Sequence, residues 1–258
     1  MTTAGPVLET RDLTIRFGGQ IAVNAVSCAF HAGTLTAIVG PNGAGKTTYF
    51  NLISGQLRAT AGQVLFRGAD ITTSPAPLRA RRGLGRAFQL TNLFPDLSVL
   101  ENVRLAVQAR AGIGLHFLGM ASDHRDLTEK ALAALLRVQL EGRAYAPAAA
   151  LNHGDQRKLE VAILIALEPD VFLFDEPTAG MSVDEVPVIL DLIESIKQQA
   201  GQKTILLVEH KMDVVRRLAD RVIVLHQGAL VADGEPAEVV ASPIVQEAYL
   251  GVRRAHAG

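Results

Sequence analysis

The chain has 258 residues, 48% of them hydrophobic and 20% charged, with a formal net charge of −1. That length suits one large domain, or a domain carrying a subdomain, around a sizeable core. The near-neutral charge argues against a general electrostatic binder of nucleic acid, and the single cysteine, Cys28, excludes an internal disulfide.

Residues 1–6 lack the basic and apolar regions of a signal peptide, and no apolar run reaches the roughly 18 residues a membrane helix needs. Any membrane span is therefore expected from other chains. Residues 8–17 and 21–30 alternate loosely and predict two strands, with Gly18-Gly19 turning between them. Cys28 lies in an apolar stretch of the second and reads as a small core residue.

Residues 34–39 predict a buried strand and 47–54 a helix. Between them runs Gly40-Pro41-Asn42-Gly43-Ala44-Gly45-Lys46-Thr47-Thr48, which fits G-x-x-x-x-G-K-[ST], a phosphate-binding loop in the strand–loop–helix context it requires. Glycines let backbone N–H groups close on phosphate oxygens, and Lys46 can reach the β- and γ-phosphates. Thr47 can set its hydroxyl on Mg²⁺, and the helix aims its positive end at the anion. Gly40, Asn42, Gly43, Ala44, Gly45, Lys46, Thr47 and Thr48 are thus the expected nucleotide contacts.

Residues 63–66 predict a short strand and 74–82 a short helix. The basic run Arg79, Arg81, Arg82 and Arg86 reads as a solvated helix face rather than a lipid or protein contact. Residues 85–88 predict a strand that gives way to a loop at Gln89. Its amide carbonyl can coordinate Mg²⁺ or the lytic water; an ordinary loop glutamine fits the spacing as well. A loop over 92–97, broken by Pro95, leads into a helix over 99–111 with Glu101 in its first turn.

The apolar, glycine-punctuated stretch 112–119 reads as an insert packed on the surface rather than a partner contact. Leu127, Ala131, Leu135 and Val138 form one stripe and predict an amphipathic helix over 126–138. Pro147 and an alanine run break the chain before a helix over 154–167. Residues 171–174 are a continuous apolar strand ending in Asp175-Glu176. Carboxylates at the carboxyl end of a buried strand stand where a parallel sheet presents its ligand site. After a phosphate loop, Asp175 suits the Mg²⁺ shell and Glu176 a base that polarises the attacking water.

A helix over 184–200 turns Val186, Ile189, Leu190, Ile193 and Ile196 inward, and an apolar strand over 204–208 ends in Glu209-His210. Adjacent strands would bring His210 beside Glu176, where its imidazole can contact a γ-phosphate oxygen. His31, His116, His124, His226 and His256 read as loop or surface residues with no metal-ligand spacing. Residues 221–225 and 230–233 predict a hairpin around Gln227-Gly228. The pattern implies an α/β fold: a parallel-sheet core, an antiparallel sheet ahead of it and a helical segment inserted in the middle.

In this order the residues resemble the nucleotide-binding subunit of an ATP-binding-cassette (ABC) transporter, over about residues 8–250. The resemblance implies a P-loop NTPase core with an N-terminal antiparallel β subdomain and an inserted α-helical subdomain. The core would take about 1–88 and 168–250, the helical signature subdomain about 89–167, and a tail 251–258. It implies ATP and Mg²⁺ as ligands, the metal held by Thr47, Gln89 and Asp175. Phe17 would stack on adenine with Val23 at the same ligand, Glu176, His210 and Gln89 would serve catalysis, and Gln89 would couple to a permease. Ala179-Gly180-Met181-Ser182 resembles the loop that faces across a dimer.

Leu151-Asn152-His153-Gly154-Asp155 falls where the family reads Leu-Ser-Gly-Gly-Gln, the segment that caps ATP held by a second subunit. Asn152, His153 and Asp155 depart from that pattern and Gly154 keeps it. Asn152 can still donate a hydrogen bond, whereas a negative Asp155 is unfavourable near phosphate unless it points away.

Phe17-Gly18-Gly19, Leu100-Glu101-Asn102-Val103, Gly154-Asp155-Gln156-Arg157-Lys158-Leu159-Glu160, Ala179-Gly180-Met181 and Ala248-Tyr249-Leu250-Gly251 look like the branched-chain amino acid importer branch. That implies an ATPase peripheral to the cytoplasmic face of the membrane. Its partners would be a second ATPase subunit, identical or more in keeping with the branch different, two permeases, and a periplasmic or extracellular binding protein, with no nucleic acid. Importers of urea, amides or aromatic acids share the branch. A lipid or lipopolysaccharide exporter ATPase and a soluble ABC ATPase acting on nucleic acid or ribosomes are the other readings.

Overall fold

Two sheets and the helices that cover them are built from a chain whose computed structural model describes residues 5–87, 93–112, 121–198, 203–243 and 245, without the side chains of 121–124. The elements run in order β1 (Leu8–Phe17), β2 (Gln20–Phe30), β3 (Leu35–Val39), α1 (Lys46–Ser54), β4 (Ala61–Phe66), β5 (Ala69–Asp70), α2 (Ala76–Arg82) and β6 (Leu84–Arg86). The helices α3 (Val99–Arg110), α4 (Ala121–Arg137) and α5 (His153–Ala166) follow. Then come β7 (Val171–Asp175), α6 (Val186–Lys197), β8 (Thr204–Val208), α7 (Met212–Leu218), β9 (Arg221–His226), β10 (Ala229–Gly234) and α8 (Pro236–Ala241).

The larger sheet has strand order β10-β9-β3-β8-β7-β6, all parallel except β10. The smaller, β2-β1-β4-β5, is antiparallel. Side chains alternate across a strand, so each central strand feeds two cores. Phe172, Phe174, Ile205 and Leu207 pack against α3, α4, α5 and α6, while Leu173, Leu206, Val208, Ile38 and Ile223 pack against α1 and the antiparallel sheet. The α/β expectation holds, with its antiparallel sheet and inserted helices. So does most of the α6 stripe: Ile189, Leu190, Ile193 and Ile196 are buried, and Val186 is half-buried against the same core.

Four local expectations change. The helix expected over 126–138 begins at Ala121. The short α7 and α8 and the two-residue β5 were not expected, because each is too brief to develop a periodic pattern. Arg79 does not lie on a solvated face. It is 1% exposed and donates to the carbonyls of Leu52, Ile53, Thr72 and Ser74 at 2.6–2.8 Å. Two of those carbonyls end α1, so the guanidinium caps the helix that the phosphate loop opens. Arg86 does not lie on a solvated face either: its side chain is 7% exposed, as described below. The insert expected over 112–119 and the tail over 251–258 lie outside the described residues beyond Gly112.

Cys28 is buried, and burial pushes its thiol up to about 11. A thiol so placed carries little thiolate at ordinary pH. We expect no modification by a thiol-disulfide reagent at pH 8 in the native state and modification of the one thiol once denaturant is added. Ready modification of the native protein would contradict this.

Candidate nucleotide site

The phosphate loop runs from the carboxyl end of β3 into α1. Its tight path is fixed by the neighbouring backbone. A side chain at Gly45, where φ is +97°, would begin 2.4 Å from the Ala22 carbonyl oxygen, and one at Gly40 would begin 2.2 Å from that of Leu225. Gly228 donates its N–H to the Ala44 carbonyl at 3.0 Å, so the β9–β10 turn braces the loop. Gly45 caps α1 without a side-chain acceptor, which leaves the first-turn N–H groups directed at the loop's cavity.

That cavity has a volume of about 400 Å³ and is lined by Asn42 through Thr48, by residues 20–22, by Gln227 and Gly228, and by Glu176. Lys46 is buried, and its ammonium donates to the Gly40 and Pro41 carbonyls at 2.7 and 3.0 Å. Burial pulls its pKa down against the opposing pull of Glu176 and Asp175. A loop of inward N–H groups with one desolvated cation matches an oligophosphate. Phe17, half exposed at the end of β1, stands at the turn leading to residues 20–22 of the lining. Val23 does not share that position: it is fully buried in the core beneath the loop and offers a ligand no surface.

The parallel pairing of β7 with β8 sets Asp175 opposite Val208, and the residues that follow meet at one edge. His210 Nδ1 lies 3.7 Å from Glu176 Oε1. Glu176 holds φ of +49°, a left-handed conformation costing about 1–2 kcal/mol in an L-residue. Strain of this kind gathers at functional positions. Glu209 is buried, accepting from the Thr178 hydroxyl at 2.9 Å and from the N–H groups of His210 and Lys211 at 2.9 and 3.2 Å. One carboxylate therefore ties the His210 segment to the segment after Glu176.

Asp175 is the most enclosed acid of the site. Its Oδ2 accepts from Arg86 at 2.9 Å, with the two side chains 0% and 7% exposed. Arg86 also donates to Asn51 Oδ1, Ser54 Oγ and Gln56 Oε1 at 2.6, 2.9 and 3.2 Å. Burial raises the Asp175 pKa against the pull of Arg86. Its other oxygen, Oδ1, is buried without a hydrogen-bond partner. An orphaned carboxylate oxygen beside a threonine-bearing phosphate loop fits a hard divalent cation such as Mg²⁺. Gln89, the third expected metal contact, lies outside the described residues. Among the described residues no cluster of three His, Cys, Asp or Glu side chains could hold a metal by itself.

Asn152 caps α5, its side-chain oxygen accepting from the Asp155 N–H at 2.7 Å. Asn152 and His153 are exposed and Gly154 is buried. Asp155 turns back along the helix to Lys158 at 3.4 Å, so its charge is partnered. Among the remaining histidines, His31 is exposed. His226 ends β9 half-buried, with Nδ1 enclosed and unpartnered, rather than lying in a loop or on the surface. The side chain of His124 and all of His116 and His256 lie outside the described residues.

The sequence reading missed Arg86, Glu209, Lys158 and Glu185. A charged residue closing a strand beside the Asp175 strand was the available signal for Arg86. For Glu209 it was an acid abutting an apolar strand end.

The ABC transporter family matches residues 23–179, and a branched-chain amino acid ATP-binding cassette transporter family matches 229–255. The high-affinity branched-chain amino acid transport ATP-binding protein LivG of Escherichia coli K12 is 36% identical over 251 residues, covering 95% of this chain and 98% of LivG. The ADP conformation of MJ1267, an ATP-binding cassette of an ABC transporter, superposes with a TM-score of 0.80 at 28% identity, covering 95% and 99% of the two chains. The dimeric, post-hydrolysis cassette MJ0796 bound to ADP and phosphate gives 0.76 at 26%, covering 89% and 98%.

Proposed function

We propose that this chain, which belongs to the ABC transporter family of ATP-binding cassettes, hydrolyses ATP to power uptake of branched-chain or related amino acids through partner membrane permeases. The observation that carries the reading is the convergence of Lys46, Asp175, Glu176 and His210 on one sheet edge around the phosphate loop. In this reading Lys46 and the N–H groups from Gly43 to Thr48 bind the phosphates, and Phe17 stacks on the base. Glu176 takes a proton from water at Oε1, and His210 orients that carboxylate and meets the γ-phosphate. Thr47, Asp175 and Gln89 would hold Mg²⁺, which when bound neutralises phosphoryl oxygens.

The same reading divides the chain into a core of about 1–88 with 168–250, a helical subdomain of about 89–167 and a tail. Asn152, His153, Gly154 and Asp155 close over ATP held by a second ATPase subunit; the related cassette MJ0796 is dimeric with ADP and phosphate bound. No helix among the described residues is long and apolar enough to cross a membrane, so the spans come from two permeases. A periplasmic or extracellular binding protein delivers the cargo, and the chain lies against the cytoplasmic face. ATP drives the cycle only through its greater affinity for the closed pair than for the open one.

Uptake of radiolabelled leucine, isoleucine and valine, measured with and without this chain, tests the cargo. We expect uptake to require both the chain and an intact Lys46. Retained uptake of all three, with loss of urea, amide or aromatic-acid uptake, would reassign the cargo within the same branch. Unchanged uptake of every class would remove the import reading.

A further inference from the structure

Two segments that this reading turns toward a partner subunit meet within the chain: the N-terminal turn of α5 and the loop over 179–185. They fit at two glycines. A side chain at Gly154 would begin 2.3 Å from both carboxylate oxygens of Glu185, and one at Gly180 would begin 3.2–3.6 Å from the ring of His153. Glu185 Oε2 accepts from the Ser182 N–H and hydroxyl at 3.0 and 2.9 Å. Its Oε1 lies 3.9 Å from the Lys158 ammonium, which also serves Asp155. Gly154 is buried in the isolated chain under this carboxylate.

We propose that Glu185 is a positioning residue that locks the 179–182 loop to the first turn of α5, with Gly154 as the seat of its carboxylate. The charge is well placed. A carboxylate beside a helix N-terminus is favoured by the helix dipole, and Lys158 balances it. Its two hydrogen bonds to Ser182 hold the loop side, and the 3.9 Å ion pair with Lys158 and the seat on Gly154 hold the helix side, so displacing one segment from the other must pull the carboxylate off the helix. The two segments then approach the partner's nucleotide as one body. On this view Gly154 serves its own chain's acid as well as any phosphate that nears the helix. Asp155, which replaces the family's glutamine, anchors the shared lysine.

The inference rests on the reading of residues 152–155 as partner-facing, and the test separates the two. Steady-state ATP hydrolysis is measured on the ATPase assembled with its membrane partners, for Glu185→Ala, Glu185→Gln, Gly154→Ala and the double variant Gly154→Ala/Glu185→Ala. Glu185→Ala is expected to lower kcat about tenfold with KM for ATP within about twofold, since the phosphate loop is untouched. Glu185→Gln keeps an acceptor for Ser182 and is expected to recover most of that loss. Gly154→Ala breaks the same contact, so the double variant should be no slower than Gly154→Ala alone.

Multiplying losses in the double variant, or a Glu185→Ala enzyme within about twofold of the parent, would overturn the lock while leaving the signature reading intact. A Gly154→Ala enzyme with unchanged turnover would overturn both. Should Glu185→Ala fail to fold, Ser182→Ala removes one donor and is expected to lower kcat without changing KM; no loss there overturns the lock.

Discussion

Glu176→Gln is expected to lower ATP turnover by at least about 100-fold while the protein still binds ATP. The substitution keeps the side chain's length and shape and removes its ability to accept a proton from water. Glu176 lines the phosphate cavity from outside the Asn42–Thr48 loop that grips the nucleotide, so the loop is left intact. The positive φ at position 176 is retained in both proteins, so the backbone contribution cancels. The amide also loses the negative charge that faces His210 at 3.7 Å. Phosphate release gives the turnover, and retention of labelled ATP gives the binding. With hydrolysis blocked, ATP should accumulate the closed pair, which sedimentation reads directly. Turnover within about tenfold of the parent would assign the base elsewhere. His210→Ala is the companion: it leaves the carboxylate and should lower turnover with little change in ATP affinity.

Most of this site was legible because its chemistry is written in consecutive residues. The phosphate loop, Asp175-Glu176 and Glu209-His210 each follow an apolar strand, and a parallel sheet brings strand ends to one edge. What stayed hidden depends on contacts between segments far apart in sequence. Arg79 and Arg86 stand in a basic run, and composition favours a solvated face for such a run. Nothing local says that four carbonyls wait for one guanidinium and a buried carboxylate for the other. The resemblance places Val23 at the ligand, whereas its strand turns it into the core. The meeting of Glu185 with Gly154 is equally non-local, since each residue alone is ordinary in a helix's first turns.

The hidden Arg86 carries the largest expected stability effect. Arg86→Met should destabilise the fold by about 3–5 kcal/mol, because it strands Asp175 as a buried charge with neither oxygen partnered. For a chain of this length that lowers the melting temperature by about 10 °C. The exposed pair Lys130–Asp126 is a fair contrast: both side chains are 61% exposed, and breaking that pair should change stability by under about 1 kcal/mol. Asp175→Asn isolates the charge. Its amide still accepts from Arg86 but carries no charge to strand, so Arg86→Met should be milder in that background. The double-mutant cycle, read by denaturant unfolding, should show a coupling of about 1–3 kcal/mol. A coupling near zero would mean the guanidinium serves only Asn51, Ser54 and Gln56. A large one has a consequence for the nucleotide. Arg86 then fixes one oxygen of Asp175 and leaves Oδ1, the oxygen that the proposed function offers to Mg²⁺, without a partner. Arg86→Met should therefore weaken the Mg²⁺ dependence of ATP binding as well as the fold, and Arg86→Lys, a point charge that cannot span four acceptors, should spare the charge balance but not the placement.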